Sequence, residues 1–401
     1  MKRVGALVAA LVTVAACHQR AEAVQTRAAV TDLVQQSMPR VEEVMGLKFK
    51  HKVGVEIRTR AQIRDYVIHK LDQDIPRAEF ASREAALKHL ALIPDSLDLR
   101  STMVDVLSEQ IAGYYDPDSG ALFIPTDADS TSIRFNIASH ELVHALQDQY
   151  ASIDSVLRQP RHNDREEAGA AIFEGQATLA QIQILMPEQQ MATVPSFWDT
   201  RSAVAMQQEQ MPVFAHAPLW VKQTLIFPYL AGADFVRWFE TKYPGQQPYG
   251  KNMPVSSSQI LHPERYAAHE TPVNITIRGG AGDVLQYDDD LGEFETRLVL
   301  EQALGSEDEA EALTVGWAGD HYAVLGAHNE ALVWYAVWRT PAAASAFVSG
   351  LKRAWAKRAE PGKTWRAERT TLGTHPASVV TYAPSDWSGW THPPTAAISA
   401  K

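Results

Sequence analysis

The stretch His-Glu-Leu-Val-His-Ala-Leu-Gln-Asp, residues 140–148, is the pattern around which this sequence is organised. Two histidines four positions apart lie about one turn apart on the same face of a helix. This spacing places both imidazoles within reach of one metal ion, with Glu141 beside them. Zinc suits such a pair, because it binds imidazole nitrogen at roughly 2.0–2.1 Å, takes a third protein ligand and keeps one position for water. Glu141 is then placed to take the proton of that water.

The sequence around this stretch predicts two strands before it and a second helix after it. Residues 53–58 alternate apolar and polar side chains, and residues 121–125 form a short apolar run, as half-buried and buried strands do. The Pro, Asp and Gly content of residues 113–120 is typical of a turn. Small residues are dense in the predicted helix 165–185, which permits close packing against another helix.

Two local motifs resemble those of known metallopeptidases. Residues 140–148 resemble the active-site helix of thermolysin-type proteases, and the Glu-Gly-x-Ala pattern at residues 174–177 is similar to that around the zinc glutamate of zinc aminopeptidases related to leukotriene hydrolase. The motifs Gly-Tyr-Tyr-Asp at 113–116, Phe-Glu-Gly-Gln-Ala-Thr at 173–178 and Ile-Leu-His-Pro-Glu-Arg-Tyr at 260–266 also resemble an uncharacterised group of bacterial secreted HExxH proteins.

The resemblance implies a gluzincin site that binds one Zn²⁺ per chain through His140, His144 and Glu174. It also implies that Glu141 is the general base and that Asp148 accepts a hydrogen bond from His140, which fixes the tautomer of that histidine. An edge strand aligns the substrate in these enzymes, and residues 122–124 are expected to take that place.

The sequence leaves alternative roles open for several of the candidate site residues. Glu166 and Glu167 compete with Glu174 as the third ligand, and Glu167 lies seven positions earlier, so it faces the same side of the helix. His262 and Tyr266 are candidate donors to the oxyanion of the transition state, a role that a histidine or tyrosine fills in gluzincins. A helix cap or a core pair near a proline turn explains these two residues equally well.

The composition limits the class of protein. The chain has 401 residues, of which 45% are hydrophobic and 21% charged, the balance of a globular protein with a real core. A net charge of −11 argues against a nucleic-acid partner and against a basic helix on a membrane surface. The length predicts two domains or one large one.

The N-terminus has the pattern of an export signal. Lys2 and Arg3 precede an apolar run at residues 4–14, and small residues then lead to Cys17, the single cysteine. The run is too short to span a membrane, and its end resembles a bacterial lipobox, in which the cysteine becomes the lipid-modified mature N-terminus. A plain signal peptide with an incidental cysteine is the alternative. We expect an exported protein that is lipid-anchored in the cell envelope, on the periplasmic or outer-membrane face.

The predicted fold class is α+β. Residues 1–16 are assigned to a lipoprotein signal peptide, 17–47 to a tether and first helix, 48–271 to a zincin-like metallopeptidase domain, and 272–401 to a smaller α+β module. An aromatic-rich helix is predicted within residues 225–243, beginning near Pro228 and ending at Pro244 and Gly245. In the C-terminal module, residues 323–325 and 331–338 are predicted to be paired strands.

These features predict zinc-dependent hydrolysis of a peptide or protein substrate. Zinc would lower the pKa of its bound water towards about 7, and Glu141 would pass the proton to the leaving amine. Endopeptidase is the default, because no carboxylate cluster that would hold a substrate amine can be identified from the sequence. The alternative is a non-catalytic surface lipoprotein with a structural or vestigial metal site, for which His162 is the nearest spare histidine ligand.

Overall fold

The computed structural model describes residues 27–128, 131–157, 161–186, 188–191, 193–201, 211–279 and 284–399. It confirms the predicted α+β class. The chain divides into two compact units whose segments alternate along the sequence. Unit 1 comprises Met1–Tyr66, Gln110–Ile153 and Ala177–Val194, and unit 2 comprises Val67–Glu109, Asp154–Gln176 and Pro195–Lys401. The predicted boundary after residue 271 falls within unit 2, and the predicted domain assignment stays a prediction.

Helices and strands follow one another along the described chain. The first part contains α1 (residues 27–45), β1 (Gly54–Arg58), α2 (Arg60–Asp74), α3 (Arg77–His89), α4 (Leu99–Gln110), β2 (Tyr114–Asp116), β3 (Ala121–Pro125), α5 (Thr131–Ala151), α6 (Ile153–Leu157), α7 (Asn163–Leu185) and α8 (Glu188–Met191). The second contains α9 (Pro212–His216), α10 (Leu219–Lys242), α11 (Ser257–Leu261), α12 (Pro263–Ala267), β4 (Ile275–Arg278), β5 (Leu285–Asp289), α13 (Gly292–Leu304), α14 (Glu307–Thr314), β6 (Trp317–Leu325), β7 (Ala331–Trp338), α15 (Pro341–Ala354), β8 (Lys363–Leu372), β9 (His375–Pro384) and β10 (Thr395–Ile398). Short 3₁₀ turns lie at Trp198–Thr200, Gly250–Asn252 and Ser388–Trp390.

Unit 1 is built around a three-stranded sheet in the order β1-β3-β2. The central strand β3 pairs in parallel with β1 and antiparallel with β2. One apolar core contains buried side chains from α1, the sheet, α5 and the end of α7, among them Val34, Leu122, Leu142, Leu146 and Ala177. This core holds α5 and the C-terminal half of α7 in fixed positions.

The expectation that residues 122–124 form an edge strand is wrong. The composition of residues 113–120 predicts a turn throughout, but Tyr114–Asp116 form β2 and pair with β3, and the turn takes only residues 117–120. Strand β3 is therefore paired on both sides, which agrees with the burial of all its residues. The edge strand is β2, and the N–H of its Tyr115 points to Glu141 rather than to β3.

Unit 2 contains a five-stranded antiparallel sheet in the order β5-β6-β7-β9-β8, and a two-stranded sheet of β4 and β10. The predicted pairing of the strands at 323–325 and 331–338 is confirmed, since β6 and β7 are antiparallel neighbours.

The prediction that a helix begins near Pro228 is wrong, because α10 begins at Leu219 and contains Pro228. A proline inside a helix removes one backbone hydrogen bond, and the buried face of α10, which includes Phe227 and Phe235, compensates for that loss.

Buried or half-buried aspartates cap several helices of unit 2. Asp290 accepts the N–H of Asp164 at 2.7 Å at the start of α7, and Asp164 accepts the N–H of Ser257 at 2.7 Å at the start of α11. Asp320 accepts the N–H of Gly292 at 3.0 Å, at the start of α13. A carboxylate at a helix N-terminus satisfies free N–H groups and interacts favourably with the helix dipole. These aspartates therefore have a structural role as helix caps.

The predicted signal peptide and Cys17 lie outside the described residues, which begin at residue 27. Within the described part of the chain, no helix is both long enough and apolar enough to cross a bilayer. Export and lipid anchoring stay predictions.

Candidate metal centre

The structure brings the three predicted metal ligands together. His140 and His144 lie on α5 and Glu174 lies on α7, and each offers a ligand atom within 4.8 Å of the other two. Among the described residues, no other group of three His, Cys, Asp or Glu side chains meets this geometry. The competing residues Glu166 and Glu167 are not members of this group.

The positions of the imidazole nitrogens fit zinc. The Nε2 atoms of His140 and His144 are 3.2 Å apart, and the two rings are nearly perpendicular, at 81°. Two nitrogens that each lie roughly 2.0–2.1 Å from one tetrahedral zinc ion are separated by about 3.3 Å. Nδ1 of His144 donates to Oε1 of Gln147 at 2.9 Å, so Nε2 of that ring presents a lone pair. The donor set therefore suits a zinc ion held by two histidines and a glutamate.

Local packing explains the position of Glu174. Ala177 and Ala180, on the next two turns of α7, are buried in the core of unit 1 with Leu142 and Leu146 of α5. Residues three apart are neighbours on one helix face, and α7 is continuous from Asn163 to Leu185. The small side chains that dock the end of α7 in this core therefore also set the place of Glu174.

Glu141 is held in a fixed orientation beside the first histidine. Its side chain is 8% exposed, and its Oε2 accepts the N–H of Tyr115 at 2.8 Å. This hydrogen bond fixes the orientation of the Glu141 carboxylate.

Tyr115 is a site residue that the sequence analysis missed. Its hydroxyl donates to Oδ2 of Asp148 at 3.1 Å, while its N–H donates to Glu141. Burial, followed by the charge of Asp148, raises the pKa of Tyr115, so the hydroxyl remains a donor at neutral pH. Oδ1 of Asp148 also accepts the N–H of Ile153 at 3.2 Å. The predicted hydrogen bond from His140 to Asp148 stays a prediction.

His262 and Tyr266 have hydrogen-bond partners within unit 2. Nε2 of His262 lies 2.8 Å from Oε1 of Glu293, and Arg265 donates to the same carboxylate. The hydroxyl of Tyr266 donates to the carbonyl oxygen of Asn252 at 2.8 Å. These contacts agree with the structural alternative of a buried polar pair near α11 and α12. A role of either residue as a transition-state donor stays a prediction.

The chain is similar to one domain family and to one crystal structure. Residues 283–388 match the model of a domain of unknown function, DUF8575, a stretch that lies within the predicted C-terminal module. No curated protein matches the chain. The chain is similar to a crystal structure described as that of "a putative hydrolase with a novel fold" from Chloroflexus aurantiacus, with 16% sequence identity and a TM-score of 0.35, over 61% of this chain and 89% of that one. A TM-score this low does not establish a shared fold.

Proposed function

We propose that this protein is a zinc-dependent peptidase of the gluzincin type, with endopeptidase activity. The observation that carries the proposal is the group of His140, His144 and Glu174 within 4.8 Å, next to a Glu141 that is oriented by Tyr115. A zinc ion bound by this group would supply Lewis acidity and an activated water.

Residues of the chain have the remaining roles of metal binding and proton transfer. The two histidine Nε2 atoms and the carboxylate of Glu174 hold the metal, and Gln147 fixes the tautomer of His144 through Nδ1. Glu141 takes a proton from water and passes it to the leaving amine. The N–H of Tyr115 keeps the Glu141 carboxylate in place during both transfers.

The donor set supports a catalytic site over a purely structural one. A structural zinc site closes its fourth position with a protein ligand, commonly Cys or His. Among the described residues, no fourth His, Cys, Asp or Glu completes the group around His140, His144 and Glu174. Nδ1 of His162, the spare histidine considered from the sequence, lies instead 3.7 Å from Asp290.

Zinc content tests the ligand set. We expect one zinc per chain in the wild-type protein and in Glu167→Ala, but far less than one in Glu174→Ala, because only the last variant loses a ligand. Glu167 is a matched control, since it is the same residue type on the same helix. Elemental analysis after dialysis against a weak chelator measures the ratio. Full zinc retention in Glu174→Ala would overturn this ligand set.

Removal of the metal tests the activity itself. Chelation should abolish cleavage of a quenched fluorescent peptide library, and added Zn²⁺ should restore it. Cleavage that continues in zinc-free protein would contradict the proposed function.

The lipobox-like N-terminus predicts that the peptidase is anchored to the cell envelope through Cys17. When the full chain is produced in a bacterial host with labelled palmitate, we expect label in the wild-type protein and recovery with the membranes. Cys17→Ser should take up no label and should leave the membrane fraction. Equal labelling of this variant would contradict lipidation at Cys17.

A further inference from the structure

A cavity of about 340 Å³ lies among the helices of unit 2. Ligand sites in proteins have volumes of about 300–1,000 Å³, so this cavity has room for one small molecule or one long side chain. Its walls are mainly apolar and come from α13 and six helices that precede it. The apolar lining residues include Leu71, Ile75, Phe80, Leu99, Met103 and Leu225.

Five charged or amide side chains line this apolar cavity, namely Arg83, Asn163, Glu166, Glu167 and Glu295. Arg83 donates to Oδ1 of Asn163 at 2.6 Å. Glu295 is 3% exposed, and its Oε1 accepts the indole N–H of Trp220 at 3.0 Å. Oε2 of Glu167 is buried and has no hydrogen-bond partner among the described residues. Nδ2 of Asn163 is also buried and has no hydrogen-bond partner among the described residues. Buried polar atoms are nearly always hydrogen-bonded, so a ligand in the cavity meets an oxygen that lacks a donor and a nitrogen that lacks an acceptor.

Helix α10 lines the same cavity around its internal proline. Pro228 and Thr224 both line it, and Pro228 lies inside the helix. Because proline has no N–H, it cannot donate to the carbonyl oxygen of the residue four positions earlier, which is Thr224. One residue that lines the cavity, Thr224, therefore has a carbonyl oxygen that lacks its regular helical donor.

The charge of the cavity selects the class of ligand. Three carboxyl groups, those of Glu166, Glu167 and Glu295, accompany one guanidinium, that of Arg83. Burial raises the pKa of Glu295 to about 7, and burial followed by the charge of Glu295 raises the pKa of Glu167. An anionic ligand would add to the repulsion, and a purely apolar one would leave the Glu167 oxygen without a donor. A cation with several N–H donors fits both requirements.

We propose that this cavity binds a primary ammonium group carried on an apolar body, such as an alkylamine or a lysine side chain. The three N–H donors of an ammonium group bond to Glu167 Oε2, the Glu295 carboxylate and the Thr224 carbonyl oxygen. The alkyl chain lies along the apolar walls. All the lining residues belong to unit 2, so this binding does not depend on the proposed peptidase activity.

Titration calorimetry of the full chain after EDTA treatment tests the site. Hexylamine should bind at least tenfold more tightly than hexan-1-ol, which has the same alkyl chain without the charge. Nα-acetyl-lysine amide identifies the source of the amine. If it binds as tightly as hexylamine, the site accepts a lysine side chain, and if it binds more weakly, the site is built for a free alkylamine. Equal affinity for hexylamine and hexan-1-ol would overturn the proposal.

Three variants locate the binding. Glu167→Gln removes the charge at nearly constant size and should weaken hexylamine binding at least tenfold, without changing the affinity for hexan-1-ol. Met103→Trp fills the cavity and should abolish binding of both ligands, which provides a second test independent of the buried carboxylate. Asp308→Asn changes an exposed carboxylate on α14 and should bind like the wild-type protein. Wild-type affinity for hexylamine in both Glu167→Gln and Met103→Trp would overturn the proposal.

Discussion

Glu141→Gln is expected to lower the rate of peptide hydrolysis by about 10³-fold, the middle of the range for loss of a general acid–base group. This factor corresponds to about 4 kcal/mol of activation free energy. Glutamine has the shape of glutamate but cannot take up the proton of water near neutral pH. The loss should therefore appear in kcat, measured with a quenched fluorescent peptide that the wild-type protein cleaves.

The same variant should retain one zinc per chain. The ligands His140, His144 and Glu174 are unchanged, and the glutamine Oε1 can still accept the N–H of Tyr115 that now binds Glu141 Oε2. Because Glu141 is largely buried, keeping its size also avoids a cavity. Elemental analysis and the activity assay on one sample then separate loss of the base from loss of the metal.

Glu43→Gln is the matched control, since it makes the same chemical change at an exposed residue of unit 1 whose partner is Arg40. A surface ion pair contributes about 0–1 kcal/mol, so this variant should cleave at the wild-type rate. Glu141→Gln protein that kept its zinc and cleaved at the wild-type rate would rule out the mechanism. Loss of zinc from Glu141→Gln would instead show that this carboxylate supports the metal site.

The sequence predicted best what depends on local periodicity. The i, i+4 spacing of His140 and His144 requires only a helix, and α5 spans Thr131–Ala151. Glu174 was assigned from a pattern on a second helix, and the structure places it with the two histidines. The α+β class likewise followed from alternation and helical spacing.

Contacts between distant segments could not be predicted in this way. Tyr115 reaches Glu141 and Asp148 only because β2 pairs with β3 beside α5, and a Pro-Asp-Gly-rich segment does not reveal a three-residue strand. Helix α10 continues through Pro228 because buried packing outweighs one lost hydrogen bond. The amine-binding cavity draws its walls from seven helices, so no local motif could have indicated it.

Gly175→Ala is expected to destabilise the protein by about 3 kcal/mol or more, at the upper end of the cost of overpacking. A Cβ at Gly175 would lie 2.1 Å from the carbonyl carbon of Gly232 and 2.5 Å from the backbone nitrogen of Ala233. Non-bonded carbon atoms pack at about 3.5–4.0 Å. The added Cβ would therefore lie more than about 1 Å closer than this contact distance. Helices α7 and α10 must separate by roughly that amount to admit the methyl group.

The direction of this change in stability identifies its cause. Glycine to alanine in the interior of a helix normally stabilises by about 1 kcal/mol, so destabilisation can come only from the contact with α10. The contact is reciprocal, because a Cβ at Gly232 would lie 2.0 Å from the carbonyl oxygen of Ala171. Backbone atoms are therefore in contact on both sides, and no side chain can rotate to relieve the clash.

Gly169→Ala, also on α7, is the control for helix propensity. Its added methyl would meet Val156 Cγ1 at 2.9 Å, the end of a side chain that can move, so we expect a change within about 1 kcal/mol of wild type. Urea denaturation followed by circular dichroism compares the three proteins. Since Glu174 adjoins Gly175, a displaced α7 should also lower the affinity for zinc in Gly175→Ala but not in Gly169→Ala. A Gly175→Ala protein as stable as the wild type would show that α7 and α10 do not approach this closely.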